Sequence, residues 1–362
     1  MARNIIRTDA LMTPIAHFSH GLRVGNEIHL GATAGTDARR RLAGSEPGLT
    51  DSRAQAEQMY RNMKLALELL GGRLEDVVRL KSYITDWRDL SGCEAAYGKY
   101  FPECRPSRSI VATWGFPLPF AVIEAELTAV VGGAGEYRYA VSSGEDGHNA
   151  LSRLTSALAA ADMAVHDVVK MTVTLSDLRE YAKFEDAFAR VFGPPYPART
   201  VSIAPLSDPH VRVELESIAR RGGGEPVQGR GLAPATGAAS PGMLAGKHLF
   251  MSAQWGLEQD GRLAVGVEGQ TRAAWRRIEA ILDEAGMSRR DVVRTNNWLT
   301  DWRSYDAFNA GYGDFVEAPY PPRATVIGGL IEPLALVQVE PLAHRDGRDA
   351  TVLEVNRQER IA

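Results

Sequence analysis

The chain has 362 residues, with 41 Lys and Arg against 45 Asp and Glu, for a net charge of −4. A 44% hydrophobic and 24% charged composition excludes wholesale disorder, and the length suits two or three domains of roughly 100–200 residues each. Near-neutral charge argues against a nucleic-acid surface, and no apolar run approaches the roughly 20 residues of a membrane span.

The two cysteines, Cys93 and Cys104, form no CxxC, so neither a disulfide framework nor a zinc knuckle is expected. Asp9 and Pro14 interrupt any signal-like stretch near the start, which predicts a cytoplasmic protein.

In chain order, a hairpin is predicted over 21–34 and a helix over 54–70, where Met59, Met63, Ala66, Leu67 and Leu70 recur at helical spacing and Gly71 and Gly72 stop it. A β-branched strand over 77–85, a second helix over 89–101 and closing strands over 109–114 and 120–130 complete the first unit. After a joint at 131–136, only 137–142 precedes the next helix at 149–161, so the hairpin of this unit is cut down. Strand 168–175, helix 180–192 and strands 200–203 and 211–219 follow. Residues 221–242 hold seven glycines and three prolines, a linker composition. The third unit comprises a hairpin over 242–254, helix 271–285, strand 292–299, helix 304–316 and strands 325–328 and 334–343. The expected boundaries are 1–131, 136–221, a linker and start of the third unit at 222–242, 243–345, and a charged tail at 346–362, which packs as a short helix or strand or frays.

The units share one register. Asp76-Val77-Val78-Arg79, Asp167-Val168-Val169-Lys170 and Asp291-Val292-Val293-Arg294 align, and ten residues after each leading Asp comes Asp86, Asp177 or Asp301. Twenty-one residues after it comes Tyr97, Phe188 or Tyr312, and thirty-two after it Arg108, Arg199 or Arg323. Four features in one register across three copies identify a triplication.

This order of hairpin, Gly-ended helix, DVV[RK] strand, helix with an aromatic, P-x-R-[ST] turn and I/V-E-x-E strand resembles the RidA family, also called YjgF/YER057c/UK114 or endoribonuclease L-PSP. The resemblance implies an α+β, chorismate-mutase-like module with a mixed sheet and two helices on one face. Family members are homotrimers with ligand clefts at subunit interfaces, so three modules in one chain imply an intramolecular pseudo-trimer; further homo-oligomerisation is left open. The implied chemistry is hydrolysis of enamines or imines to a 2-keto acid and ammonia, with no cofactor and a small carboxylate as partner.

By that resemblance Arg108, Arg199 and Arg323 clamp the substrate carboxylate, which a guanidinium fork matches bidentately. The bland alternative is an ion pair that holds the turn. Glu124 and Glu214 are the matching water-activating glutamates; copy three has Gln338, which cannot carry a proton. Alternation puts Glu124 and Glu126 on one strand face, where like charges raise a carboxyl pKa.

Other family positions depart: the cysteine is Ile110, Val201 or Thr325, the hairpin tyrosine is Phe18 or Ala239, and the helix asparagine survives only as Asn309. Trp114 and Trp255 are placed to roof a cleft, and His17 is a candidate proton donor. No HxH or HxxxH spacing supports a metal site.

Three readings follow. The first is a hydrolase acting on a carboxylate-bearing imine, enamine or related C–N compound, with Arg108 and Arg199 as anchors and Glu124 or Glu214 as acid–base groups. The second is a chorismatase-like hydrolase of an enol ether. The third is a non-catalytic ligand binder.

Overall fold

The computed structural model describes residues 3–46, 49–133, 135–232 and 237–355. The first module runs β1 (Arg3–Arg7), β2 (Gly21–Val24), β3 (Glu27–Ala34), the small pair β4 (Ser45–Glu46) and β5 (Leu49–Thr50), α1 (Ser52–Leu69), β6 (Val77–Ile84), α2 (Leu90–Tyr100), β7 (Ser107–Ala112) and β8 (Ile123–Val130). The second has β9 (Tyr137–Gly144), α3 (Gly147–Ala160), β10 (Val168–Leu175), α4 (Tyr181–Val191), β11 (Ala198–Ile203) and β12 (Val213–Arg220). The third has β13 (Glu225–Val227), β14 (Gly242–Ala245), β15 (His248–Met251), β16 (Gln254–Trp255), α5 (Gly266–Glu284), β17 (Val292–Leu299), α6 (Tyr305–Gly313), β18 (Arg323–Ile327), β19 (Val337–His344) and β20 (Ala350–Glu354).

Each module builds one mixed sheet, to the first of which β20 from the end of the chain adds an edge strand. The orders are β20-β1-β2-β3-β8-β6-β7, then β11-β10-β12-β9, then β13-β14-β15-β19-β17-β18 with β16 paired to β19. The second sheet has four strands because a single strand, β9, stands where the other modules have a hairpin. In every module the DVV strand pairs in parallel with the arginine strand, matching Leu80 to Arg108, Met171 to Arg199 and Thr295 to Arg323.

Strand alternation divides the residues between two cores. Leu80, Ile84, Ala125 and Leu127 face outward onto Met59, Tyr60 and Met63 of α1, and the other two modules repeat this helix-on-sheet packing. The opposite faces meet each other. Ile5 and Val24, Val169 and Ile218, and Met243, Phe250 and Leu342 form one apolar cluster drawn from all three modules. Tyr83, Val111, Leu206, Trp298 and Val326 form a second. The modules therefore close around a shared pseudo-threefold axis.

A buried polar belt also crosses this interface. Arg79 donates to Glu126 at 3.1 Å within its own module and to Glu216 of the second module at 2.9 Å. Lys81 also pairs with Glu216, Lys170 reaches Glu340 of the third module at 2.8 Å, and Asn296 donates to Glu126 of the first at 2.7 Å. Each inner glutamate thus meets a donor from the preceding module around the ring.

Two expectations are corrected, and of the alternatives for the tail the strand is found. Part of the tail is ordered: β20 runs parallel to β1, matching Arg3 to Ala350, so the two ends of the chain meet on one sheet edge; residues 356–362 lie outside the described residues. The Gly/Pro-rich segment at 222–242 contains β13, paired antiparallel with β14, while its residues 233–236 lie outside the described residues. Helix α5 begins at Gly266 rather than near 271, because Gly266 and Gly269 obscure the apolar pattern of its first turn. No helix among the described residues is long and apolar enough to cross a membrane.

Breaking a buried pair by removing one partner strands a charge at a cost of about 3–5 kcal/mol. Arg79→Met is therefore expected to lower the urea midpoint of the full chain substantially. Arg88→Ala, which breaks an exposed pair with Asp86, should leave that midpoint in place.

Candidate active site

The antiparallel pairing of the closing strand sets Tyr83 opposite Glu124, Thr174 opposite Glu214 and Trp298 opposite Gln338. All three face the pseudo-threefold interface, and Glu124 and Gln338 each share a cleft with an arginine from a neighbouring module rather than their own. Glu124 of β8 shares a cleft with Arg323 of β18. Gln338 of β19 shares one with Arg199 of β11. Glu214 of β12 accepts a 2.6 Å hydrogen bond from Ser109, the residue after Arg108. Each of these groupings crosses a seam, because alternation turns both groups away from their own helices.

The cleft at the seam of modules three and one encloses about 800 Å³, counting its solvent-filled mouth. Phe18, His20, Ala32 and Thr33 supply one wall and Thr325 and Tyr305 the other, with Leu118 at the rim. Gly31 is required here. A Cβ at this position would lie 2.7 Å from the backbone N and O of Arg323, so only glycine lets β3 come this close to β18.

The three repeat arginines differ in their partners. Arg108 pairs with Glu94 at 2.8 Å and lies 3.8 Å over the Tyr97 ring. Arg199 pairs with Glu185 at 2.5 Å. Arg323 has no carboxylate partner among the described residues: its Nη2 donates to Asn309 at 2.6 Å and to the Tyr305 hydroxyl at 3.1 Å, both neutral. Its Nη1 is buried without a hydrogen-bond partner, and the rings of Tyr312 and Phe18 lie 4.8 and 5.5 Å from the guanidinium. Glu94, Glu185 and Asn309 occupy one position of the repeat. That helix residue decides whether the arginine's charge is neutralised internally, and not whether a donor is spare, since Arg199 Nη1 and Arg108 Nε are also buried without a hydrogen-bond partner.

Glu124 is 7% exposed and has neither a hydrogen-bond nor an ion-pair partner among the described residues. Burial pushes its carboxyl up to about 8. The sequence pattern suggested repulsion from Glu126 as the cause, but Glu126 is turned to Arg79 and Asn296, and desolvation alone raises Glu124. Glu214 is pushed up to about 7, again mainly by burial, with the Ser109 hydrogen bond opposing.

Of the remaining candidates, Phe18 lines the Glu124 cleft and Trp255 lines the Gln338 cleft, where its Nε1 donates to Gln338 at 3.2 Å. Trp114 is 59% exposed and lines neither cleft; it roofs nothing there, because its backbone joins the seam while its ring points to solvent. Asn309 acts through Arg323. His17 packs edge-on against Tyr320 outside the cleft, and His20 lines the wall instead, with its Nε2 bonded to the Met12 carbonyl at 2.7 Å. Tyr305 carried no sequence signal, because its role depends on the seam.

The sequence spacing offered no metal site, yet the axis gathers Glu27, His29 and His248, whose ligand atoms lie within 4.8 Å of one another. The Nε2 of His248 bonds Glu27 at 2.9 Å and its Nδ1 lies 3.0 Å from the Tyr137 hydroxyl, a hydrogen-bonded chain that satisfies His248 and Glu27 by itself.

The family model described as endoribonuclease L-PSP matches residues 8–131, 138–221 and 231–345. RidA from an Antarctic Psychrobacter is 29% identical over 33% of this chain and 98% of its own, with a TM-score of 0.31. A YjgF/YER057c/UK114 member from Mycobacterium tuberculosis is 27% identical over 32% of this chain and 86% of its own, with a TM-score of 0.27. A chorismatase is 14% identical but covers 74% of this chain and 93% of its own at a TM-score of 0.55, a likeness of fold. With three matches that together take in nearly the whole chain, the protein belongs to the endoribonuclease L-PSP, or RidA, family as three tandem modules.

Proposed function

We propose that the chain hydrolyses a small carboxylate-bearing imine or enamine at the seam of modules three and one, with Arg323 as carboxylate clamp and Glu124 as acid–base group. The observation that carries this reading is the open charge of Arg323, whose two counterparts are neutralised by Glu94 and Glu185. Sequence comparison favoured Arg108 and Arg199; their ion pairs move the assignment to the third arginine.

Arg323 Nη1 donates to the substrate carboxylate in a low-dielectric cleft, where such a bond is strong. Protonated Glu124 gives its proton to the terminal carbon of an enamine, leaving an iminium. Its carboxylate then takes a proton from the water that attacks the iminium carbon. Glu124, reprotonated by that water, passes the proton to the carbinolamine nitrogen and takes up the hydroxyl proton as the C–N bond breaks and the carbonyl forms, so ammonia leaves with a 2-keto acid. A carboxyl held near neutrality suits both halves.

A second reading is a chorismatase-like hydrolysis of an enol ether. The neutral acid form of Glu124 favours it, since protonating a vinyl carbon is the same first step. Products separate the two: ammonia in the first, an alcohol without ammonia in the second.

With 2-iminopropionate as substrate, Arg323→Ala is expected to lower kcat/KM about 100-fold, the scale of losing a charge-assisted clamp, whereas Arg108→Ala should retain activity. Turnover of Arg323→Ala equal to that of the parent would refute the assignment. Asn309→Glu should mimic Arg323→Ala by supplying an internal carboxylate. The rate should hold through neutrality and fall as pH rises past about 8, where Glu124 loses its proton.

The same proton is readable without turnover. Glu124 ionises near 4.5 when unfolded and about 8 when folded, so stability falls as pH rises between those values. Glu124→Gln removes this cost. In calorimetry it should melt above the parent near pH 8.5 and together with it near pH 4.

A further inference from the structure

The cleft at the seam of modules two and three repeats the geometry of the first but inverts its chemistry. It encloses about 820 Å³ including its mouth. Gln55 and Gln270 occupy matching helix positions, since each accepts the backbone N–H that opens its module's closing segment: Val122 at 2.9 Å and Leu336 at 2.8 Å. Seven residues further along each helix, Asn62 faces the first cleft and Arg277 the second. Across from them, Glu124 of the first cleft is replaced by Gln338 in the second. One exchange removes the acid and the other adds a cation.

Arg277 has no carboxylate partner among the described residues; its Nε donates to Gln254 at 3.1 Å, and its two Nη groups make no hydrogen bond to any described residue. The neighbouring Arg199 contributes little charge. Glu185 neutralises it, and the Ala238 backbone N–H, 3.2 Å from Glu185, helps to seal that pair. Residues 233–236, which lie outside the described residues, are Ala, Pro, Ala and Thr and add no acid. A half-buried guanidinium without a counter-ion carries a desolvation cost that an incoming anion offsets. Trp255 places an indole on the same wall, held by its bond to Gln338.

We infer that this second cleft is a binding site without hydrolytic chemistry, taking a planar, conjugated monocarboxylate whose carboxylate meets the Arg277 fork and whose body lies against Trp255. Gln338 supplies neither a proton nor a base, so the bound molecule is retained unchanged. The inference concerns binding alone and does not depend on turnover at the first cleft.

Benzoate is a suitable probe, titrated calorimetrically into the full chain. The Arg323→Gln protein, with the first cleft's clamp removed, is expected to keep one benzoate site. Adding Arg277→Gln should weaken that site at least tenfold. Should Arg277→Gln fail to fold, Gln338→Glu in the Arg323→Gln background decides the matter, because the new carboxylate would occupy the Arg277 fork and weaken binding by a similar factor. An Arg323→Gln protein that binds no benzoate, or a site whose affinity ignores the deciding substitution, would overturn the proposal. If instead the first cleft proves inactive while these affinities shift as stated, the binding site stands and only the hydrolase reading falls.

Discussion

Arg79, buried between Glu126 of its own module and Glu216 of the next, is the interaction around which the architecture is organised. An ionised glutamate left without a partner at this depth would be too costly to keep. Each module's inward strand must therefore be met by donors from its neighbour, which fixes how the modules rotate against one another. Lys170 with Glu340 and Asn296 with Glu126 complete the ring. The apolar clusters on either side of the belt supply the area, and the belt supplies the register. Everything at the seams follows from that alignment, including which arginine faces which carboxyl group.

Fusion into one chain lets the three seams differ, and they do so at very few positions. In a symmetric trimer a substitution would alter every cleft at once; here Asn309 stands opposite two glutamates of the same repeat position, and Gln338 opposite two others. One seam has Arg323 without a carboxylate partner among the described residues and Glu124 buried beside it, one has Arg108 paired with Glu94, and one has Arg199 paired with Glu185, with Arg277 nearby and Gln338 in place of the glutamate. The trimmed second module removes a hairpin wall from the seam that holds Glu214, whose carboxyl is instead tied to Ser109. A charge already paired at 2.5–2.8 Å has little attraction left for a ligand.

The triplicate register of Asp, aromatic and Arg was legible without coordinates, and so were the helices and strands between them, because strand alternation and helical spacing are local properties. The trimmed hairpin of the second module was legible for the same reason. Less visible were β13 and β20, short segments whose strand state comes from an edge already built by β14 and β1. Trp114 looked like a roof by its spacing from Arg108 and turned out to face solvent. Tyr305 and Arg277 offered no motif at all.

What the sequence determined by itself was the repeated α+β module, its family membership and the small set of arginines and acidic groups from which a site had to be drawn. What only the tertiary structure decided was which groups come together: Arg323 and Glu124 lining one cleft, Arg199 and Gln338 another, and Ser109 bonded to Glu214. The physical reason is that these juxtapositions cross seams between modules far apart along the chain. No local period encodes which face meets which neighbour, and the desolvation that raises Glu124 exists only once the seam has closed.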